Sequence, residues 1–261
     1  MFQKIGFIGL GLIGGSIAKK IHTLYPDVTI IATAGHKETI TEAYEQHLIS
    51  NQTLCEIGDF YDCDYIFLCT PVRRNIDYLR QLKGKIKPGC IITDVGSVKT
   101  DIHEEVIKLD MEDCFIGGHP MAGSEKTGLN NANEYLLENA YYILTPTAKT
   151  DTVRLEELRS LVTQLGAIAL VLDYHLHDYA TAAISHLPHI IAYSLVNLVK
   201  KSDDENETMK TIAAGGFKDL TRIASSSPVM WQNICQSNSG QIVRLINAYE
   251  EMLEKTKHDI L

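Results

Sequence analysis

The stretch Lys4–Ser16, with the sequence KIGFIGLGLIGGS, constrains the fold more than any other part of the chain. It joins a short apolar run to a glycine-rich turn and then to a helical pattern. Gly9, Gly11 and Gly14 fit G-x-G-x-x-G, in which the glycines permit a tight turn, close approach of a pyrophosphate, and close packing of helix on strand. Phosphates would lie at the helix N-terminus, where backbone N–H groups attract negative charge. The stretch therefore predicts a dinucleotide site.

Apolar runs alternate with helical patterns over the first two-thirds of the chain, which is typical of a parallel sheet covered by helices on both faces. After the first run, the sequence predicts strands at Val28–Ala32, Asp64–Cys69, Cys90–Thr93, Phe115–Gly118, Tyr141–Leu144 and Ile168–Leu172. Intervening helices are expected at about Glu38–Leu48 and Thr152–Leu165. These elements predict an α/β, Rossmann-type, doubly wound and mostly parallel sheet over residues 1–173.

From about Tyr174 the helical period takes over. The pattern predicts helices at His177–Lys200, Glu205–Ala214 and Val229–Lys255. Ser227-Pro228 is a start signal for the last of these, because proline is tolerated at the first helical position. We therefore predict an all-helical second domain over residues 174–261.

Charge and composition narrow the range of partners. The formal net charge of −9, from 24 basic and 33 acidic residues, disfavours nucleic acid and anionic membranes as partners. No apolar run is expected to approach the length of a membrane span. Met1 leads directly into a strand, with no stretch resembling a signal peptide, and the six cysteines lack C-x-x-C spacing. We expect a cytoplasmic protein with reduced thiols.

Ligands of open α/β sheets bind beyond the carboxyl ends of the strands, so residues that follow the apolar runs are the first candidates for chemistry. His119 follows two glycines and precedes a proline, and its imidazole could act as a general base near neutral pH. Alternatively it is a loop histidine bonded to backbone. Ser97 could bond to that imidazole or to a cofactor amide, or it could cap the helix that begins near Lys99.

The helical domain adds two groups of candidates. His186 and His189 are three residues apart, but no further ligands accompany them, so we do not expect a metal site. Lys218 and Arg222 lie at helical spacing after a glycine pair. Arg222 could hold a carboxylate in bidentate fashion or form a surface pair with Asp219. Trp231, the only tryptophan, is either a core residue or a pocket wall.

Six motifs then point to one family. They are Gly9–Ser16, Asp94–Lys99, Gly118–Glu125, Ser185–His189, Gly216–Ala224 and Pro228–Trp231. In this order and combination they resemble the prephenate dehydrogenase family of tyrosine biosynthesis. The resemblance implies a Rossmann-type first domain, a helical second domain that forms a homodimer, and oxidative decarboxylation of prephenate to 4-hydroxyphenylpyruvate with NAD or NADP.

The resemblance also implies roles for individual residues. His119 would take the proton of the substrate's ring hydroxyl, Ser97 would orient His119 and the cofactor, and Arg222 would hold a substrate carboxylate. Further substrate contacts would come from Ser124, His189 and Trp231. Glu125 and Lys218 would form an ionic gate, with Lys218 from the same or the neighbouring subunit. Cofactor contacts would come from Gly9, Gly11, Leu12, Ile13, Gly14, Thr33, His36, Lys37, Thr70, Pro71 and Ser97.

One loop departs from the usual NAD-binding pattern. About 20 residues after the glycine turn, a carboxylate normally binds the ribose hydroxyls of NAD. Here Ala34 takes that place, and His36 and Lys37 follow it. Without an acid to repel a 2′-phosphate, the loop favours NADP slightly, although it contains no arginine.

Three alternatives remain at this point. Arogenate dehydrogenase performs the same chemistry on the amino-acid counterpart of prephenate. A β-hydroxyacid dehydrogenase shares the N-terminal fold, but the serine and histidine motifs argue against it. A non-catalytic dinucleotide sensor would keep the three glycines and need neither His119 nor Arg222. We expect no regulation through the ligand-binding domain that some relatives append, because no stretch of the sequence corresponds to it.

Overall fold

The computed structural model describes residues 2–124 and 126–261, so Met1 and Glu125 lie outside the described residues. The chain divides into two compact units, one ending at His177 and the other spanning Asp178–Leu261. We call them the sheet unit and the helical unit. Our division after residue 173 remains a proposal about functional domains.

The sheet unit contains a seven-stranded sheet in the order β2-β1-β3-β4-β5-β6-β7. The strands are β1 Lys4–Ile8, β2 Thr29–Thr33, β3 Tyr65–Leu68, β4 Ile91–Asp94, β5 Phe115–Pro120, β6 Tyr141–Pro146 and β7 Ile168–Val171. All neighbouring pairs are parallel except β5 and β6, which are antiparallel. The predicted mostly parallel sheet is confirmed.

Helices cover both faces of this sheet. They are α1 Leu12–Leu24, α2 Lys37–Glu45, α3 Val72–Leu82, α4 Thr100–Lys108 and α5 Thr152–Gln164. One buried apolar cluster joins Phe7 of the sheet to Ile17 of α1 and Leu158 of α5. The other joins Ile66 of the sheet to Leu79 of α3 and Ile102 of α4. Because each face has its own core, the sheet is doubly wound.

The chain leaves β1 where the strand order reverses, which is the position where ligands bind in open α/β sheets. Gly9 follows β1 with a φ of +104°, a conformation that favours glycine. Its N–H donates to the carbonyl of Thr33 at 2.9 Å. The glycine turn is thereby fixed between the ends of β1 and β2.

The helical unit begins within a helical stretch made of α6 Tyr174–Thr181, a π-helical turn Ala182–His186 and α7 Leu187–Ser202. Where Glu205–Ala214 was expected to be helical, the chain forms only the short helix α8 Thr208–Ile212. A second short helix, α9 Gly215–Thr221, and a 3-10 turn Arg222–Ser225 follow it. The last two helices are α10 Pro228–Ser237 and α11 Ser239–Ile260.

The expected helix Val229–Lys255 is therefore broken at Asn238. The side-chain amide of Asn238 donates to the carbonyl of Asp178 at 2.8 Å and lies 3.2 Å from Nδ1 of His186. Asn238 itself has φ −120° and ψ 27°, outside the helical region. A contact between distant parts of the chain thus ends one helix and starts the next.

The helical stretch Tyr174–Ser202 contains an 18-residue window with a mean hydropathy of 1.4, so by length and composition alone it could span a membrane. Our expectation that no run approaches this length needs correction. The apolar residues of the stretch are interrupted by histidines and Asp178, which hide it from inspection for continuous runs but not from an averaged hydropathy.

The six cysteines are all free thiols. Burial raises the pKa of Cys63 and Cys114 to about 12. Because the thiolate is the reactive form, these two side chains are unreactive apolar groups of the core.

Candidate active site

The N-terminus of α1 fits a pyrophosphate. A Cβ on Gly14 would lie 2.5 Å from the carbonyl oxygen of Gly9 and 3.0 Å from Cβ of Cys69, so this glycine is needed for helix–strand packing. A Cβ on Gly11 would meet nothing within 4 Å. Gly11 also begins the helix without a side-chain cap, and the first turn carries no acid. Open space beside uncapped N–H groups is what an anionic ligand requires.

Other predicted cofactor residues lie at the same edge of the sheet. Leu12 and Ile13 form the first turn of α1, and Thr33 ends β2. Thr70 and Pro71 follow β3, where the Thr70 N–H donates to Oδ1 of Asn75 at 3.2 Å. His36 and Lys37 are exposed at the start of α2. Their grouping results from the parallel strands, whose carboxyl ends share one edge.

A buried ion pair anchors the next two loops. Asp94 ends β4, and its carboxylate accepts hydrogen bonds from the N–H of Gly96 at 2.9 Å and of Gly118 at 3.1 Å. Lys99 pairs with the same carboxylate and donates to the Gly118 carbonyl at 2.8 Å. Both charged side chains are fully buried. One carboxylate therefore holds the loop that carries Ser97 and the strand that carries His119.

His119 lies within β5 rather than after it, because β6 pairs with the strand as far as Pro120. Its side chain is 9% exposed. Nδ1 of His119 lies 2.8 Å from Nε2 of His177, which is fully buried. The alternative of a loop histidine is wrong, because His119 lies in a paired strand and its ring meets a second imidazole.

A separate contact fixes the beginning of α6, where His177 lies. Tyr174 stacks on His103, with ring centroids 4.3 Å apart and planes at 3°. Nε2 of His103 lies 2.8 Å from the hydroxyl of Thr145 in β6. The first turn of α6 is thereby tied to the strand next to β5.

Two serine candidates are placed but have few contacts. Ser97 is half-buried, and its hydroxyl makes no hydrogen bond to any described residue. It does not cap α4, whose N-cap residue is Lys99. Ser124 is exposed and accepts a hydrogen bond from the N–H of Lys126 at 3.1 Å. The predicted gate residue Glu125 lies outside the described residues.

In the helical unit, His189 and Trp231 stack face to face, with ring centroids 3.5 Å apart and planes at 8°. Nδ1 of His189 and Nε1 of Trp231 are both buried, and neither has a hydrogen-bond partner among the described residues. Burial lowers the pKa of His189 from its ordinary value, so the neutral ring is favoured. Two unpaired buried nitrogens beside a flat apolar surface suit an aromatic ligand with polar substituents.

Lys218 and Arg222 lie on neighbouring turns, in α9 and at the start of the 3-10 turn, and both are exposed. Among residues 2–124 and 126–261, no ion pair joins Arg222 to Asp219. The guanidinium is thus not committed to the surface pair that was the alternative.

His186 contacts the Asn238 amide rather than a set of ligands. Within the part of the chain that the structure describes, no group of three or more metal-binding side chains occurs. The π-helical turn that ends at His186 is a feature often found at functional sites.

Comparison with protein families decides what this arrangement belongs to. Residues 17–171 match the model of the prephenate dehydrogenase nucleotide-binding domain, and residues 173–260 match that of the prephenate dehydrogenase dimerization domain. The chain belongs to the prephenate dehydrogenase family. The prephenate dehydrogenase of Bacillus subtilis is 38% identical over 98% of this chain and 70% of its own length.

Two solved structures of the family are similar as well. The Aquifex aeolicus prephenate dehydrogenase in complex with hydroxyphenyl propionate and NAD+ has a TM-score of 0.92 at 32% identity, covering 100% of this chain and 91% of the other. The Synechocystis arogenate dehydrogenase has a TM-score of 0.87 at 32% identity, covering 99% and 92%. The family resemblance stated from the motifs is confirmed.

Sequence reasoning missed parts of this candidate site. Asp94 and Lys99 were quoted within a motif, but neither was given a role. His177 was only the start of a predicted helix. Its partner lies 58 residues away in sequence, and no local pattern joins the two. The sequence does contain a signal for the ion pair, since Asp94 ends the apolar run of β4 and Lys99 follows shortly after it.

Proposed function

We propose that this chain catalyses the NAD(P)+-dependent oxidative decarboxylation of prephenate to 4-hydroxyphenylpyruvate in tyrosine biosynthesis. The observation that carries the proposal is the buried His119, held by the Asp94–Lys99 cluster at the same sheet edge as the glycine turn. A pure dinucleotide sensor would need the turn but not the histidine. Membership of an oxidoreductase family over nearly the whole chain points to the same reaction.

The chemistry of prephenate explains what the site must do. The substrate carries a ring hydroxyl and, across the ring, a carboxylate. A dinucleotide whose pyrophosphate is held by the turn Gly9–Gly14 would supply the acceptor for the hydride that leaves the carbinol carbon. The carbinol becomes a carbonyl, and the bond to the opposite carboxylate breaks with release of CO2. Its electron pair enters the ring, which becomes aromatic.

His119 accepts and then returns the proton that moves during this reaction. Its imidazole accepts the hydroxyl proton as the carbonyl forms, which prevents a positive charge from developing on that oxygen. After CO2 leaves, the ring oxygen takes the proton back and the phenol is complete. The histidine ends each turnover in the protonation state in which it began. Ser97 is assigned to the cofactor amide in this scheme, since its hydroxyl makes no hydrogen bond to any described residue, His119 included.

Substrate binding is assigned to the helical unit and the loop after β5. Arg222 holds a substrate carboxylate, and its exposed, uncommitted guanidinium is suited to this task. His189 and Trp231 offer a flat surface and two unpaired N–H or N positions to the ring and its substituents. Ser124 adds a polar contact. Lys218 is the gate residue of this scheme, and its proposed partner Glu125 lies outside the described residues.

For the cofactor, we propose that the loop after β2 accepts both dinucleotides with a modest preference for NADP+. Ala34 is half-buried at the position of the usual acid, and His36 and Lys37 are exposed beside it. A 2′-phosphate there would meet positive or neutral groups. Replacing Ala34→Asp should shift the preference towards NAD+, because the carboxylate would repel the phosphate and bind the ribose hydroxyls.

We also propose that the active form is a cytoplasmic homodimer built through the helical unit. Several large apolar side chains of α7 and α11 are exposed, among them Tyr193, Leu198, Val243, Met252 and Leu253. Exposed apolar side chains along two long helices are typical of an association site, and residues 173–260 match the model of a dimerization domain. The apolar character of Tyr174–Ser202 then reflects association rather than membrane insertion. Sedimentation at several concentrations would test this, and a monomer at all of them would overturn it.

The function is tested by initial rates of cofactor reduction, with NAD+ and NADP+ each combined with prephenate and with arogenate. We expect turnover with prephenate and release of one CO2 for each reduced cofactor. His119→Asn serves as the inactive control, because it should still bind the cofactor but lose most of its turnover. Turnover with arogenate alone would change the substrate but keep the chemistry. Cofactor binding without turnover of either substrate would support the sensor alternative.

A further inference from the structure

We propose that His177 is a positioning residue for His119: it accepts the Nδ1–H hydrogen bond of His119 and thereby keeps Nε2 of His119 bare and ready to take the substrate proton. The inference rests on the proposed function, because it assumes that His119 is the base. It adds a residue from α6 that none of the motifs contains.

The geometry of the pair permits only a few protonation patterns. Nδ1 of His119 and Nε2 of His177 are 2.8 Å apart, and the ring planes are inclined by 69°. A hydrogen bond between two ring nitrogens needs one that carries hydrogen and one that does not. For two neutral rings, either His119 donates to His177 or His177 donates to His119.

Only one of these patterns supports catalysis. If His177 donated, Nδ1 of His119 would be bare and its neutral ring would carry hydrogen on Nε2, which then could not accept a proton. If His119 donates, its Nε2 is bare and basic. The same bond persists after His119 takes the proton, since the imidazolium still donates through Nδ1. A partner that only accepts therefore selects the productive tautomer, as second-shell partners of histidines do elsewhere.

The surroundings of His177 favour this accepting role. His177 lies in the first turn of α6, and its backbone N–H bonds to the carbonyl of Asp173 at 2.9 Å. The Asp173 carboxylate accepts from the N–H of His175 at 2.9 Å and of Leu176 at 3.0 Å, which caps this turn. These bonds fix the first turn of α6, and an imidazole held rigidly there is suited to accept a hydrogen bond from His119.

Two contacts fix the positions of the two rings. On one side, Tyr174 stacks on His103, which sets the first turn of α6. On the other side, the N–H of Gly118 bonds to Asp94, which sets the strand directly before His119. Both imidazoles lie in the sheet unit and are almost fully buried, so water does not compete freely for the bond between them. The pair is therefore part of a preorganised site.

The test uses three variants of the full-length protein. His177→Gln keeps an amide oxygen at a length that reaches Nδ1 of His119. His177→Asn keeps the amide but is too short, and His177→Leu removes the acceptor. We expect kcat with prephenate to fall by about 10- to 100-fold in the Leu and Asn variants, with KM values within about twofold of wild type. His177→Gln should recover most of the rate. The Asn variant replaces the Leu variant if the latter does not fold.

Ring-nitrogen NMR gives a second readout that a purely structural role would not change. The His119 signals are assigned by their absence in His119→Asn. In the wild type we expect hydrogen on Nδ1 of neutral His119, and in His177→Leu a shift towards hydrogen on Nε2. Hydrogen on Nε2 in the wild type, or unchanged kcat in both the Leu and Asn variants, would overturn the proposal. Failure of the proposed function is distinguishable, because wild-type protein would then leave prephenate unreacted while His119 still carried hydrogen on Nδ1.

Discussion

The sheet unit and the helical unit hold their functional side chains in opposite ways. In the sheet unit, Asp94 and Lys99 are fully buried and bond to the backbone on either side of His119. In the helical unit, Lys218 and Arg222 are exposed on short elements, and neither α8 nor α9 buries a residue. Proton transfer needs fixed geometry, whereas binding of a charged substrate tolerates side chains that adapt. The difference predicts that mutations in the two units change different kinetic and thermodynamic parameters.

The largest effect should come from the fixed base. His119→Asn should lower kcat by about 1,000-fold, since general base catalysis contributes about 100- to 10,000-fold. KM for both substrates should change little, because the variant keeps the strand and the glycine turn. Steady-state kinetics with prephenate would measure this. A rise in KM with unchanged kcat would place His119 with the binding residues instead.

The next largest effect should come from the buried ion pair of Lys99 with Asp94, next to the strand that carries His119. Lys99→Met leaves Asp94 charged and buried, and we expect the free energy of unfolding to fall by about 3–5 kcal/mol. Urea unfolding followed by circular dichroism would measure it. The matched control is Arg159→Met, which breaks a pair with Glu156 in which both side chains are at least half exposed. That change should cost less than about 1 kcal/mol. Equal costs would show that the cluster does not anchor the site.

Arg222→Ala should act on binding alone. We expect KM for prephenate to rise by about 10- to 100-fold, which corresponds to loss of a charge-assisted hydrogen bond worth about 1.5–3 kcal/mol. Because the side chain is exposed, the unfolding free energy should change by less than about 0.5 kcal/mol. Kinetics and urea unfolding of the same preparation would test both statements. A marked loss of stability would mean that Arg222 is structural.

Substitutions of two glycines in the sheet unit should have smaller effects, one on dinucleotide binding and the other on stability. Gly11→Ala places a methyl group in open space at the helix N-terminus, so we expect unchanged stability and a dinucleotide KM raised by at least about tenfold. Gly14→Ala brings a methyl group against the Gly9 carbonyl, so thermal stability should fall. Titration calorimetry with NADP+ and thermal unfolding would distinguish them. Reversed outcomes would contradict the assigned position of the pyrophosphate.

The smallest effect concerns pH. Because burial lowers the pKa of His189, the unfolded chain binds this proton more readily than the folded chain does. The unfolding free energy should therefore decrease as the pH falls below about 6.5, the ordinary pKa of histidine. His189→Gln should make that decrease shallower, whereas His258→Gln, at an exposed position of α11, should not. Identical pH profiles for wild type and the His189 variant would contradict the prediction.

Much of the sheet unit could be predicted, because its strands are short apolar runs and its ligand edge follows from parallel topology. Because the carboxyl ends of parallel strands lie at one edge, the apolar runs were enough to place Gly9, Thr70 and Ser97 at that edge. The end of β5 was predicted too early, because its pairing with β6 through His119 depends on a strand reversal that apolar runs do not reveal.

Contacts between distant residues account for most of what was missed. Lys99 would be placed at the surface by its residue type, and only the fold brings it into a fully buried pair. The break at Asn238 depends on the carbonyl of Asp178, 60 residues earlier in the chain. His177 meets His119 for the same kind of reason. Such contacts are consequences of tertiary packing, and local periodicity does not encode them.

The stacking of Trp231 on His189 has a spectroscopic consequence. Trp231 is the only tryptophan of the chain, so indole emission excited at the red edge of its absorption comes from the helical unit alone. Far-ultraviolet ellipticity, in contrast, averages over both units. Denaturation curves recorded with the two signals on one sample would coincide if the units melt together and separate if the helical unit melts first. The protein thus carries a built-in optical reporter of whether its two halves unfold as one.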